Sequence, residues 1–511
     1  MRDIGACVRR RTLPAAAVAY HRPVRKTGEL VAEDVLIIGG GLAGLACGVA
    51  LADRGLRCRV FEAGERLGGR AASWRDEVTG DTVDIGPHIF HSEYHNMLAF
   101  LRRLGTAQLI TWQPRKVLAL ASKPRPVHLR HAPLPPPLSL VPSALPAPGL
   151  TMLDNLSMAR LAWSGITFHE ADVARLDGIS AEQFLRDKGV SERMIDWWWR
   201  FAAMVVTNLP LERCSAASLL RIHALLSNYR GLHFGFGAVG LAELYATQAT
   251  QAIVAAGGAV SVDAPVAGFV GGERVEGIVL ADGTRIAGDV VSALPPTALK
   301  TIVPPAWRAM APFRQLDAFE PSPYVCVYLW FDRQFRVERF WSHLYSAGRL
   351  NYDFYDLRQI RAGWQGRATV VCSNIIYSHR AHRLSDDDIV QATLRELVEG
   401  APEAAHARLV HARVHRVPMA IPCPVTGFET ARPAPESPVP GLVLAGDWVQ
   451  THLPCTMESA VKSGFMAAER VLARRGMAAQ LAIASRPFDG LTWLVRKLAG
   501  VPAGPELTAR S

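Results

Sequence analysis

Four apolar residues in a row, Val35 to Ile38, run straight into glycines. A short run without polar alternation predicts a strand buried on both faces. Apolar positions continue over a helix from Leu45 to Asp53, with Arg54-Gly55 as its stop, and a second strand follows at Arg59 to Phe61. Further on, the pattern predicts an amphipathic helix from Tyr94 to Gly105, a Ser180-capped helix ending before Gly189, and a helix over Leu241–Ala256. A strand at Ala259–Val262 comes next, then a meander over Pro265–Val270, Glu276–Leu280 and Thr284–Ile286 with an Asp282-Gly283 turn. Buried strands are expected at Asp289–Pro295 and Gly441–Ala445. Between them lie alternating strands at Tyr324–Phe331, Ala368–Ile376 and Leu409–Val414 around one helix, Ser385–Val398. Strands and helices alternate at both ends, so the fold class is α/β. Proline crowds Pro124–Pro148, which is expected to be an extended loop. Leu150–Phe168 is mainly apolar and fits either a buried helix or a membrane-facing lid.

The first strand and helix are joined by Gly39, Gly41 and Gly44 in G-x-G-x-x-G spacing. The glycines supply a tight turn, close approach of backbone to a pyrophosphate, and close packing of helix on strand. Glu62 then falls at the end of the second strand, where an acid accepts hydrogen bonds from an adenosine ribose. The glycines alone would be weak evidence; strand, turn, helix, strand and acid in order are strong. A second G-x-G-x-x-G stands at Gly235-Phe236-Gly237-Ala238-Val239-Gly240. Arg230 and Gly231 interrupt the residues before it, a poor parallel strand, so the turn is read as opening the helix back to the first domain. A second dinucleotide site is the alternative.

After Glu62 the chain reads Ala63-Gly64-Glu65-Arg66-Leu67-Gly68-Gly69-Arg70. With this glycine pair and arginine it resembles the FAD-binding amine oxidase and phytoene desaturase superfamily, in which the Gly-Gly-Arg turn lies along the FAD phosphates. Asp84-Ile85-Gly86-Pro87-His88-Ile89-Phe90 and Tyr94-His95-Asn96 are similar to the Gly-x-His-x-Phe and Tyr-x-Asn segments of plant-type and cyanobacterial phytoene and ζ-carotene desaturases. Gly86 would let backbone pass close to a flat ring, with His88 pointing towards it. The late stretch Gly446-Asp447-Trp448 and Pro454-Cys455-Thr456-Met457-Glu458 resembles the superfamily's second signature. There Asp447 would bind the flavin's ribityl hydroxyls, and the start of a helix near Met457, with Pro454 in its first turn, would face the isoalloxazine. Amine oxidases carry a tyrosine just before the Met-Glu pair; Thr456 stands there, as small residues do in the desaturases. Hydroxysqualene dehydroxylase shares the Gly-Asp-Trp and Pro-x-Thr-Met-Glu features.

The resemblance implies a Rossmann-like, two-dinucleotide-fold FAD domain (31–105, 231–300 and 410–475) and a discontinuous α+β substrate domain with a helical lid (106–230 and 301–409). The implied cofactor contacts are Gly39, Gly41, Leu42, Ala43, Gly44, Glu62, Ala63, Gly69, Arg70, Gly86, Pro87, His88, Val266, Ala293, Gly446, Asp447, Thr456 and Met457. The implied reaction is desaturation of a polyisoprenoid by hydride transfer to flavin N5, with quinone or oxygen as electron acceptor. His88 is the candidate base, though a core histidine is the plainer reading. A hydroxysqualene dehydroxylase-like enzyme and a flavin amine oxidase are the alternatives, and a lipid carrier that binds FAD without catalysis is a third. Trp197-Trp198-Trp199 cannot share one helical face. They are read either as a wall of an apolar tunnel or as core.

Composition narrows the partners. The 511-residue chain carries a formal charge of +10 with a pI near 9.4. No basic helix, zinc pattern or aromatic-basic motif of a nucleic-acid reader appears, so anionic lipid head groups are the better match. No apolar run is long enough to span a bilayer, which leaves a cytoplasmic enzyme in peripheral contact with membrane. None of the eight cysteines forms a C-x-x-C pair, so neither a metal site nor a disulfide framework is expected. Residues 1–30 are expected to be a disordered basic leader. Residues 476–511 are expected to be a basic tail whose helix shares an apolar face of Leu491, Leu494, Val495 and Leu498, with Arg496 and Lys497 beside it.

Overall fold

The computed structural model describes residues 34–113, 117–121, 125–145 and 147–505. The expected leader lies outside them. The first strand, Val35–Ile38, is the middle of a five-stranded parallel sheet ordered Ala259–Ser261, Cys58–Phe61, Val35–Ile38, Asp289–Ser292, Leu442–Leu444. All four of its residues are buried, as a strand covered on both faces requires. One face carries the helices Leu42–Ala52, His95–Arg103, Ala246–Ala255 and Met457–Arg474. The other packs on the antiparallel meander Val266–Val270, Gly277–Leu280, Arg285–Ala287 and on Trp307 and Trp448. The meander turns where expected, with Thr284 N–H donating to Asp282 (2.9 Å) and Gly283 at φ +86°.

The second large sheet has seven strands, ordered Leu409–Val417, Tyr324–Phe331, Val370–Ile376, Asp353–Asp356, Phe340–His343, Leu118–Ala121, Val127–Leu129. Its outer face is sealed by the helix Asp386–Gly400 through Ile389, Val390 and Leu397. Its inner face turns Tyr328, Tyr355, Cys372 and Phe340 towards Phe201, Phe236 and a helical layer. The expected domain boundary at 410 falls inside Leu409–Val417, which is paired along its length to Tyr324–Phe331. That strand belongs to this sheet.

Three expectations are corrected. The second glycine motif forms a strand, Phe234–Gly237, antiparallel to Ile89–His91 and Ile110–Gln113. A Cβ on Gly235 would come within 2.6 Å of both Ile110 and Trp112, so the glycine answers to packing and no dinucleotide turn exists there. The proline-rich stretch holds a strand, Val127–Leu129, and a short helix, Val141–Ala144, which Pro142 enters in the first turn where its missing N–H costs nothing. The tail helix Gly490–Leu498 buries Thr492 and Arg496 and leaves Leu491, Trp493, Leu494 and Leu498 exposed. The Arg496 guanidinium donates to the carbonyls of Ile166, Phe168, Pro502 and Gly504, because a buried cation needs every N–H partnered.

The three tryptophans stand in a π-helical turn, Ile195–Trp199, a wider coil that spreads consecutive side chains. Trp199 is buried against Met158 and the His223 ring. Trp197 and Trp198 are half-buried and stack on each other at 6.2 Å. Burial holds the His223 pKa down at about 4, so its folded form resists protonation while the unfolded chain takes a proton near 6.5. Its contribution to stability is therefore full above about 6.5 and is lost as pH falls towards 4. His223→Leu is expected to shrink the fall in Tm between pH 7 and pH 5, measured by thermal melts of both proteins.

Candidate flavin site

The first glycine turn is built for close approach. Gly39 has φ +105°, and a Cβ on Gly44 would lie 2.0 Å from the Gly39 carbonyl. Gly41 is the N-cap of Leu42–Ala52, with no side chain capping it, so the helix opens on bare N–H groups. Gly68 and Gly69 lie against this turn at φ +111° and +53°, with Gly68 N–H donating to Gly40 O at 2.9 Å. Tyr245 fixes their far side by donating to the carbonyls of Gly68 (3.1 Å) and Ala71 (3.2 Å). Two glycine turns 27 positions apart thus present one surface of main chain.

Glu62 accepts N–H bonds from Gly40 (2.8 Å) and Gly64 (3.0 Å), which sets its carboxylate at the mouth of the turn beside the exposed Ala63. The chain leading to Val266 runs alongside: Asp263 N–H and Ala264 N–H donate to the carbonyls of Gly64 and Glu62. Ala293 closes the other flank, donating to Ile38 O, with its own carbonyl 3.1 Å from a Cβ on Gly39.

The two signatures meet directly. Arg70 makes a two-pronged ion pair with Asp447 (2.7 and 3.0 Å) and donates to Ala420 O at 3.2 Å. Burial alone would weaken the arginine's grip on its proton, but the carboxylate beside it outweighs that and raises its pKa. Gly446, at φ +125°, donates to Ser463 Oγ and turns the chain away from Trp448, whose indole N–H goes to Leu294 O (3.0 Å) inside the core. Thr456 is the N-cap of Met457–Arg474, accepting from Ser459 N–H, and Met457 is buried in the first turn. Pro454 stands outside that turn, a correction to its expected place. Cys455 sits half-buried with Sγ 3.3 Å from Asp447 O; burial, with the Asp447 carboxylate, pushes its thiol far up, which leaves it unreactive at neutral pH. Among the described residues no group of three or more metal-ligating side chains occurs.

Gly86, Pro87 and His88 lie where Arg70's turn faces the second sheet. A Cβ on Gly86 would come 2.8 Å from the Tyr324 ring, so the flat ring beside this glycine in the protein itself is a tyrosine. His88 Nδ1 is 2.9 Å from Gly86 O. A carbonyl can only accept, so Nδ1 carries the hydrogen and Nε2 keeps its lone pair. Burial first, opposed by Gly86 and Asp84 and aided by Arg70, holds His88 below the usual histidine value.

Several residues that matter here act through distant partners that their local sequence does not name. Glu458 is buried and accepts from Asn96 N–H (2.9 Å), Asn96 Nδ2 (2.7 Å) and Met97 N–H (2.7 Å), capping His95–Arg103 from across the chain. Arg432 is fully buried and donates to the carbonyls of Leu453 (2.7 Å), Asp447 (2.9 Å) and Val449 (2.8 Å), shaping the loop that delivers Asp447. Glu429 bridges Arg432 to Arg221, and Arg221 pairs with Glu170. Burial alone would raise Glu429, but the two arginines hold it at about 2. Glu429 and Arg221 lie 208 residues apart, beyond the reach of spacing; only a charge inside an apolar run hints at the pair. Glu458→Gln is expected to destabilise by roughly 1–3 kcal/mol, because a neutral amide is a weaker acceptor and its NH2 faces the Asn96 donors. A denaturant titration beside wild type measures it.

The residues present fit FAD: a bare helix N-terminus, a double glycine turn with no Cβ in the way, an acid at the strand end, and the Arg70–Asp447 pair on the far side. Similar proteins point the same way. The chain is 28% identical over 459 residues to 15-cis-phytoene desaturase of Synechococcus elongatus, covering 86% of this chain and 96% of that one. It is 30% identical over 513 residues to carotenoid phi-ring synthase of Streptomyces griseus, covering 93% and 94%. Solved structures that share the fold include putrescine oxidase (TM-score 0.65, 17% identity, 86% of this chain and 99% of that one). Cyclohexylamine oxidase of Brevibacterium oxydans is another (TM-score 0.64, 20% identity, 87% and 99%). The family model described as flavin containing amine oxidoreductase matches residues 42–472, and the chain belongs to that family, as an FAD-dependent oxidoreductase.

Proposed function

We propose that this enzyme desaturates a polyisoprenoid hydrocarbon of the carotenoid type. The observation that carries the reading is an apolar lining on the inner side of the seven-stranded sheet. Half-buried Leu140, Leu150, Trp197, Trp198, Phe234 and Tyr324 pack around one core there. Tyr324 reaches Gly86 and, through it, the His88 segment. A long hydrocarbon gains affinity from such a wall in proportion to the apolar area it buries. The desaturase relatives support the same reading.

Bound FAD would supply the hydride acceptor at N5. The glycine turns, with Leu42, Ala43, Gly44 and Gly69, would hold its phosphates, Glu62 its ribose, Ala63, Val266 and Ala293 its adenine side, and Gly446, Asp447, Thr456 and Met457 its flavin end. His88, with Pro87 fixing the chain before it, offers a neutral Nε2 that could take the proton from the carbon next to the one giving hydride. Thr456 in place of an aromatic residue leaves room beside that position for a chain rather than a small amine. Quinone or oxygen would take the electrons. Anaerobic addition of a C30 or C40 polyene is expected to bleach the flavin of the purified enzyme, and addition of amines to leave it yellow. Pigment extraction from a polyene-producing host expressing the chain would name the product. Bleaching by amines alone would overturn the reading.

We infer peripheral membrane contact from a second feature. Met152, Leu153, Leu156 and Trp163 of the lid helices Met152–Leu156 and Ala159–Thr167 are exposed, and Leu153 is 77% exposed. The tail helix adds Leu491, Trp493, Leu494 and Leu498, with Lys497 over the Trp493 ring. Its Gly490 sits on Pro135, and its Arg496 ties it to the end of the lid helix, so both apolar sets share one end of the molecule. Among the described residues no helix is long and apolar enough to cross a membrane. A Leu153→Ser, Leu156→Ser, Leu498→Ser triple variant is expected to lower sedimentation with anionic vesicles by roughly tenfold or more, with Tm little changed, since these side chains are mostly exposed.

A further inference from the structure

The inner face of the seven-stranded sheet is apolar except along one row. Cross-strand partners Ser342, Asp353 and Asn374 stand side by side on three adjacent strands, with Cys326 next in the row. All three polar residues are at least 97% buried. Asp353 Oδ2 accepts from Tyr355 OH (2.6 Å) and Asn374 Nδ2 (3.2 Å). Its other oxygen, Oδ1, has no partner in the protein, nor has Asn374 Oδ1, nor Ser342 Oγ. Tyr324, two residues before Cys326 on the same face of its strand, lies against Gly86. The row therefore belongs to the same wall as the proposed substrate lining.

Three neighbouring unpartnered oxygens in a buried sheet are costly, about 1–3 kcal/mol each. Two of them, the carboxylate and amide oxygens, can only accept. A pure hydrocarbon would leave them unpaired and pay that penalty on binding. A hydroxyl fits both halves of the set, donating to one acceptor oxygen while accepting from Ser342. An ammonium could donate to all three oxygens, but a polyisoprenoid chain carries no such cation, so a hydroxyl is the group this reading supplies. The two protein partners of Asp353, Tyr355 and Asn374, are both neutral.

We propose that Asp353, Asn374 and Ser342 form a polar subsite that takes a hydroxyl carried by the polyisoprenoid substrate. This rests on the polyisoprenoid reading above and narrows it to an oxygen-bearing chain. Asp353 and Asn374 set the position of the hydroxyl, and Ser342 completes it; none of the three is assigned a step in the redox chemistry.

The test uses the FAD-loaded enzyme and three ligands of matched length: a linear C20 polyprenyl alcohol, the hydrocarbon lacking its hydroxyl, and the primary amine. Binding is read from the quenching of tryptophan fluorescence. The alcohol is expected to bind at least tenfold more tightly than the hydrocarbon and the amine. Asp353→Asn is expected to weaken the alcohol at least tenfold more than the hydrocarbon. Ser342→Ala removes a hydroxyl that holds nothing in the fold, so it keeps the fold intact, and it is expected to cut the alcohol's advantage several-fold. Equal binding of alcohol and hydrocarbon by wild type would overturn the subsite while leaving the polyisoprenoid reading in place, as would variants that weaken both alike. Tightest binding of the amine, or no binding of either chain, would overturn both.

Discussion

The structure depends on a stack of three backbones with nothing between them. The helix Leu42–Ala52 presses its first turn onto the strand end at Gly39, where only hydrogen fits at Gly44. On its other side the helix Met457–Arg474 comes equally close, and a Cβ on Gly464 would lie 2.3 Å from Ala43 O. Glycine at these two positions costs conformational entropy in a helix, about 0.5–1 kcal/mol each. What it gains is that residues more than 400 apart meet at one face. The Arg70–Asp447 pair is then possible because the stack brings its two loops together.

Much of this was legible because the signals are local. A run such as Val35–Ile38 states its own burial, and the glycine spacing states its own turn. Tyr324–Phe331 begins and ends where its pattern says, and the helix at 386–400 needs only its Ser385 cap and its apolar period. The chain's resemblance to the desaturases is also carried by short segments, and the comparisons bear it out.

What stayed hidden is long-range or depends on an unusual local geometry. Gly235 spells a phosphate turn as well as a helix-opening one, and spacing does not record that Trp112 and Ile110 pack over it in a strand. Arg496 looked like a surface charge on a tail helix, yet two carbonyls of the distant Ile166–Phe168 segment and two just beyond the helix hold it inside. The triple tryptophan could not be resolved on a 3.6-residue helix, because the chain widens to a π turn just there. Asn374 falls in an expected strand and Asp353 in none; only the register makes them neighbours.

Asn96 gives the tail a consequence beyond its own surface. Its side chain holds Glu458, in the first turn of the helix that begins at Met457, and with both its amide groups also grips the main chain of Ile483. Arg486 then ties the same tail to Glu93, three residues before Asn96. Residues 483–486 are thus a brace behind the helix that begins at Met457. Trimming the protein after its final family motif would loosen the cofactor pocket from behind.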